Sequence, residues 1–201
     1  EHRSEYTALR KDGKRVPVAI FYSVIMKNGA VRGFRGAAMD ISEQRAAADR
    51  MQREVARMQS LARIASMDNE KKMFDEALAA MLVLTQSDIG YIYFYDEDKK
   101  VFEIYSWSKS VMERCTIAEP QTKYMLEHTG LWGDVVRFRK TVVANEYAGD
   151  PRRKGYPEGH VPLKRFLSVP VFDAGRIVAV AGVANKVRAY DEFDEHELSS
   201  F

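Results

Sequence analysis

The sequence predicts an α+β protein, with an antiparallel sheet flanked by helices, preceded by a long linker helix and a short three-stranded segment. Three observations carry the prediction. Residues 4–41 alternate apolar and polar side chains between tight-turn signals. Residues 43–67 contain no Gly and no Pro. Residues 68–201 read in order as helix, two strands, helices, one strand, a long loop, two strands and a helix.

The first three strands are expected at roughly 4–10, 15–26 and 31–41. The turn between the first two is Lys11-Asp12-Gly13-Lys14. In the second, Val16, Val18, Ile20, Tyr22 and Val24 share one face by period-two alternation. Asn28-Gly29 is the two-residue hairpin turn, because both residues accept positive φ. Asp40-Ile41-Ser42-Glu43 is a helix start, with a side-chain oxygen to cap free N–H groups. The helix over 43–67 places Met51, Met58 and Ala65 at heptad spacing, with Leu61 at the intervening seam position and Glu54 interrupting. That pattern is a short, imperfect coiled-coil seam.

A second helix is expected after Asp68-Asn69, with Phe74, Ala77, Leu78, Met81 and Leu82 on one face. Ile89–Tyr95 is apolar on both faces and reads as a central strand, followed by the strand Val101–Trp107. Pro120 and Gly130 bracket an expected helix, and Leu131–Arg139 is another. Thr141–Ala144 is a short strand. Residues 145–164 show no period and contain Pro151, Pro157 and Pro162. A loop beyond ~12–15 residues is uncommon in a compact domain unless it binds something. Arg165–Phe172 and Arg176–Ala184 form a hairpin, and Asp191–Phe201 begins a last helix.

Composition narrows the function. Hydrophobic residues at 46% and charged residues at 30% fit a folded soluble chain. A net charge of +2 gives no basis for nucleic-acid binding. The single cysteine, Cys115, has no partner for a disulfide or a Cys-rich metal site, and a reducing cytoplasmic setting fits. No apolar run approaches the ~20 residues of a membrane span, so no membrane contact is expected in this segment. The chain opens on Glu1 and ends inside a helical pattern, which reads as a piece of a longer parent that carries an output domain and possesses any membrane anchor. No nucleophile elbow, phosphate loop or paired catalytic carboxylates are visible, so no enzyme activity is expected. The histidines show no metal-ligand spacing, and no resident cofactor is predicted.

Two resemblances follow from particular residues. Arg10-Lys11-Asp12-Gly13, Gly33-Phe34-Arg35-Gly36 and Asp40-Ile41-Ser42-Glu43 resemble the C-terminal end of a PAS domain. Gly130-Leu131-Trp132-Gly133, Gly155–His160, Ser168-Val169-Pro170-Val171 and Val180–Lys186 resemble a GAF domain of the variety common in bacterial sensor histidine kinases and diguanylate cyclases. These resemblances imply residues 1–42 as an incomplete PAS domain, 43–67 as a helical coiled-coil linker and 68–201 as a GAF sensory domain with its last helix truncated. They also imply a two-component signalling role, a homodimer through the linker helix and an unidentified small-molecule ligand.

The GAF resemblance brings Trp107 and Trp132 near the long loop. With Tyr156, His160 and Arg165 they make candidate ligand-binding residues, because aromatic walls with a few cationic donors suit a small anionic or aromatic metabolite. Core packing of the tryptophans and a solvated face for Arg152-Arg153-Lys154 are the plainer alternatives. Cys115 is a further candidate, because Arg114 beside it would favour the thiolate, although a structural cysteine is the simpler reading. Asn185-Lys186, Tyr190 and Asp194-Glu195 resemble the signature of cyclic-nucleotide-binding GAF domains, with a shorter spacer. A lysine–aspartate tie between the last strand and the last helix is the structural reading. A ligand-free dimerisation module is the competing overall reading.

Overall fold

The computed structural model describes residues 2–108, 122–154 and 160–201. The chain divides into two compact units, 1–56 and 57–201, and the division falls inside the first helix, α1 (Ser42–Ala65). In the first unit β1 (His2–Leu9), β2 (Arg15–Lys27) and β3 (Ala30–Asp40) form an antiparallel meander in that order. Asn28 and Gly29 take φ of 51° and 76°, the hairpin turn their side chains permit. Burial on β2 departs from the predicted single face. Val16 and Ala19, on opposite faces, are both buried, while Val24 is exposed. Position along the strand outweighs alternation here, because the far half of the meander is open. The Asp40 carboxylate accepts the Ser42 N–H at 2.9 Å, at the predicted start of α1. No α1 side chain is buried, and Met51 and Met58 are 68% and 55% exposed, so the predicted seam is an uncovered stripe.

In the second unit α2 (Glu70–Thr85) starts where Asn69 Oδ1 accepts the Lys72 N–H at 2.9 Å. The strands are β4 (Ile89–Asp96), β5 (Val101–Trp107), β6 (Lys123–Met125), β7 (Val142–Ala144), β8 (Phe166–Asp173) and β9 (Arg176–Ala184). They form one antiparallel sheet in the order β6-β5-β4-β9-β8-β7. Helices α3 (Leu131–Phe138) and α4 (Glu192–Ser199) complete the unit. This is the predicted α+β arrangement, with β4 central as its two-sided apolar pattern requires.

The helix expected between Pro120 and Gly130 is a correction. Pro120 lies outside the described residues, and 122–130 supply β6 and a 3-10 turn, Leu126–His128, instead. The pairing of Tyr124 with Phe102 across β5 and β6 fixes that segment as a strand, a long-range partner that local pattern does not reveal.

The sheet has two buried faces. Successive strand residues point to opposite sides, so Ile89, Tyr91, Tyr93 and Tyr95 go to one face and Ile92 to the other. The first face is covered by Leu131, Val135 and Val136 of α3. The second is covered by Leu78 and Met81 of α2 and Leu198 of α4. Between the central strands, Tyr91 pairs with Gly182, and a Cβ at 182 would stand 2.4 Å from Tyr91 Cζ. The glycine exists so that the tyrosine ring can cross the neighbouring strand.

Three core tyrosines are held neutral by burial. Desolvation pushes the Tyr190 phenol up from its ordinary 10.0 to about 12, partly offset by its hydrogen bond to Ser87. Burial raises Tyr91 and Tyr93 further still.

Two outcomes are expected. Gly182→Ala lowers stability by about 1–3 kcal/mol in urea unfolding, by overpacking against the ring. In a Tyr91→Ala background the same change costs much less; equal costs in both backgrounds would refute the ring-over-glycine account. For the tyrosines, a raised folded-state value means stability is fully present below pH 10.0 and is lost as pH rises through about 12. Absorbance titration should therefore show late-titrating tyrosines that ionise together with unfolding. Ionisation of every tyrosine near pH 10 with the fold intact would contradict it.

Candidate functional site

The first face of the sheet carries a cluster of aromatic rings built around Tyr93. Its ring stacks on Trp132 of α3 at 5.2 Å and meets Tyr91 edge-on at 5.1 Å. Trp132 also packs against Phe102 at 4.8 Å and Tyr124 at 5.5 Å. Tyr91 continues the cluster to Phe166 at 6.4 Å, and Phe166 meets Tyr147 at 6.0 Å. Each such pair adds ~0.5–1.5 kcal/mol beyond the area it buries. Odd-numbered residues of β4 supply the floor, and α3 and the segment after β7 supply the cover.

The polar atoms within this face are directed. Ser168 Oγ donates to the Ala181 carbonyl at 2.9 Å, which uses its one proton. The Tyr91 hydroxyl, 3.0 Å from the same Oγ, is therefore the donor of that pair. Trp107 stands opposite Tyr91 across β4 and β5, and its indole slightly opposes the rise that burial gives the Tyr93 phenol.

Helix α3 is set over the rings by a polar knot. Arg137 pairs with Asp134 at 2.8 Å and donates to the carbonyls of Gly130, Leu126 and Thr129 at 3.1, 2.6 and 2.8 Å. A Cβ at Gly133 would stand 1.7 Å from Thr129 Oγ1, so glycine is required for the 129–130 strand of backbone to approach α3. Sequence pattern picked out Gly130–Gly133 and missed Arg137 and Asp134; an Asp–Arg pair three apart on a helix was the available signal.

Two arms of the long loop border the cluster. Tyr147 of the first arm is buried, and Lys154 Nζ donates to the Glu127 carbonyl at 2.8 Å. In the same arm Asp150 pairs with Arg152 at 2.7 Å, which holds the Asp150 carboxyl below its ordinary range. Val161 and Leu163 of the second arm pack onto the rings. The segment between Asn145 and Lys164 is not wholly structureless, because Tyr147–Gly149 forms a 3-10 turn.

The predicted site residues divide as follows. Trp132 stacks on Tyr93, and Trp107 stands opposite Tyr91 across β4 and β5. His160 is half-buried beside Val161, and its Nδ1 lies 2.7 Å from the Val161 carbonyl, which makes Nδ1 the protonated nitrogen. Arg165 is not brought to the rings. Phe166 faces the cluster, so its neighbour turns to the opposite face, and the guanidinium donates to the Lys186 carbonyl at 3.2 Å. There its charge helps the Tyr190 phenol ionise, against the larger effect of burial. Cys115 and Tyr156 lie outside the described residues. Lys186 and Asp194 form a buried ion pair, the lysine–aspartate tie that the structural reading of that motif expects. Among the described residues, no three His, Cys, Asp or Glu side chains are gathered as metal ligands.

The family model described as GAF domain matches residues 68–201. The chain is 38% identical over 198 residues to a methyl sulfide methyltransferase-associated sensor of the archaeon Methanosarcina acetivorans. That match covers 97% of this chain and 20% of the relative, so the chain spans about a fifth of the relative's length. Among solved structures, the GAF domain from a phosphoenolpyruvate-protein phosphotransferase of Coxiella burnetii aligns with a TM-score of 0.63 at 13% identity, over 75% of this chain and 88% of that one. A free methionine-R-sulfoxide reductase from Neisseria meningitidis, in complex with its substrate, aligns with a TM-score of 0.58 at 16% identity, over 74% and 82%. At these identities the structures speak to the fold alone, while the family model covers most of the sequence and the whole sheet: the chain belongs to the GAF domain family.

Proposed function

We propose that the chain is a sensory and regulatory module of a signal-transduction protein, with a small-molecule ligand held against the aromatic face between α3 and the arms of the 145–164 loop. The observation that carries this reading is that face itself. A sheet surface is lined by Tyr91, Tyr93, Phe102 and Trp132, with Trp107 on the strand beside them. A flat, largely apolar ligand matches it. Membership of the GAF family and the likeness to a protein named as a sensor support the same reading. Trp107, Trp132 and His160 are the site residues. Arg165 serves at the root of the loop.

In this reading residues 1–42 are the end of a PAS domain, 43–67 the linker and 68–201 the sensory domain. The uncovered Met51 and Met58 stripe on α1 is the seam of a parallel dimer, and the output domain belongs to the same parent chain. Ligand binding biases two packings of the linker. The module is not itself an enzyme, since one cysteine cannot run a thiol–disulfide cycle, and its setting is a reducing cytoplasm. A ligand-free dimerisation module is the second reading, favoured by the ring-to-ring contacts that already fill much of the face.

Native mass spectrometry of the freshly purified chain, compared with its denatured mass, tests the ligand. A folded chain carrying extra mass is expected. Trp132→Ala, which removes the ring stacked on Tyr93, should lower retention of that mass several-fold. A bare folded chain across expression conditions would leave the dimerisation module as the better account. Sedimentation tests the seam: the wild type is expected to be a dimer, and Met58→Glu should shift it to monomer. An unchanged sedimentation coefficient would remove α1 as the interface.

A further inference from the structure

We propose that Asn145 and Asn185 couple the aromatic site to the C-terminal helix α4, by fastening both arms of the 145–164 loop to the connection between β9 and α4. The proposal rests on the reading of the aromatic face as the ligand site and adds how that site is read out.

The observations are two side-chain amides used as backbone substitutes. Asn145, the first residue after β7, donates through Nδ2 to the Tyr190 carbonyl at 3.0 Å and accepts the Tyr190 N–H on Oδ1 at 2.7 Å. Asn185, the first residue after β9, donates through Nδ2 to the Pro162 carbonyl at 2.9 Å and accepts the Lys164 N–H on Oδ1 at 2.8 Å. Each amide pairs with an N–H and a carbonyl at once, so the position of its oxygen and nitrogen is fixed by its partners. Around them, the Tyr147 N–H donates to the Lys164 carbonyl at 3.0 Å, which ties arm to arm. The Asn185 N–H donates to the Arg165 carbonyl at 3.0 Å. Arg165 itself reaches the Lys186 carbonyl, which is why its side chain leaves the rings.

Both ends of this linkage reach something that matters. On one side, Tyr147 packs against Phe166, and Val161 and Leu163 join the same buried cluster as the rings. On the other, Tyr190 immediately precedes the cap of α4. The Asp191 carboxylate accepts the N–H groups of Phe193 and Asp194 at 3.0 and 3.1 Å, and Asp194 returns an oxygen to the Asp191 N–H at 3.1 Å. The remaining Asp194 oxygen meets Lys186, also within the connection. Tyr190 and Leu198 pack on the second face of the sheet. The arms lie on the first face and α4 on the second, so the asparagines carry displacement past the end of the sheet. Among the described residues, an arm that moves must either break these bonds or pull on 185–191.

Amide hydrogen exchange over 192–199 in the intact chain tests the coupling and needs no ligand. Val161→Ala loosens the second arm at the rings. With the clamps present, it should speed exchange of α4 about 5- to 10-fold, while α2 stays protected. The clamps are removed by Asn145→Ala with Asn185→Gly; glycine preserves the positive φ of 63° at 185 and deletes the amide. In that background the effect of Val161→Ala on α4 should fall below about 2-fold. Should the double variant lose α2 protection, Asn145→Asp decides instead, since it keeps the acceptor for Tyr190 and loses the donor; the effect should then be roughly halved. Unchanged α4 exchange in Val161→Ala, or equal acceleration with and without the clamps, overturns the coupling. Failure of ligand retention in the mass measurement would leave this result standing, and failure here would leave the ligand site standing.

Discussion

The crossing of Tyr91 over Gly182 is the constraint on which the arrangement of the second unit depends. It joins the two central strands of the sheet at a point where neither can shift by one residue. A slip in the pairing of β4 with β9 would put the ring against a side chain and would also exchange the faces of Tyr93 and Ile92. With the register held, Tyr93 meets Trp132 on one side and Ile92 meets the α2 stripe on the other. Each helix layer finds its own apolar surface because this one pair fixes which side each residue takes.

The two layers differ in how they are held. The α2 and α4 side is closed by aliphatic packing, a capping box and a buried Lys186–Asp194 pair. Breaking such a pair by removing one partner leaves a buried charge and costs ~3–5 kcal/mol. The α3 side is closed by aromatic rings, by the Arg137 knot and by loop arms anchored through amides. The two sides thus differ in chemistry: aromatic and amide-anchored over the first face, aliphatic and ion-paired over the second.

Much of this was readable from the residues, and the failures have physical causes. β5 and β9 match the predicted ranges because alternation and turn residues agree there; Ala174 and Gly175 both take positive φ at the hairpin. The α2 face was legible from its helical spacing, and its cap from Asn69. β6 was not, because a three-residue edge strand is defined by its partner and carries no period of its own. Arg165 is a candidate as a cationic donor at the end of a loop too long to be an idle connector. Parity with Phe166 sends it to the other face, a signal that strand alternation offers once the strand is known to begin one residue later. Arg137 was hidden because its partners are carbonyls, which every sequence has. Asn145 and Asn185 look like ordinary loop residues, since a side chain that replaces a backbone partner leaves no pattern in the chain.

The size of the amide clamp decides whether it can transmit anything. A neutral hydrogen bond contributes a net ~0.5–1.5 kcal/mol, so the side-chain bonds of Asn145 and Asn185 together amount to a few kcal/mol. Coupling between two sites in regulated proteins is typically ~1–3 kcal/mol. A much stronger tether would make arms and helix a single rigid body, with no second state for a ligand to select. A much weaker one would let the arms move while α4 stayed in place. The buried Lys186–Asp194 pair lies just beyond the clamp and belongs to the stronger class, so the connection it holds moves with α4. The division of labour follows from those magnitudes: amides at the loop roots yield or hold on the scale of a binding event, and the ion pair keeps the helix end of the linkage from coming loose first.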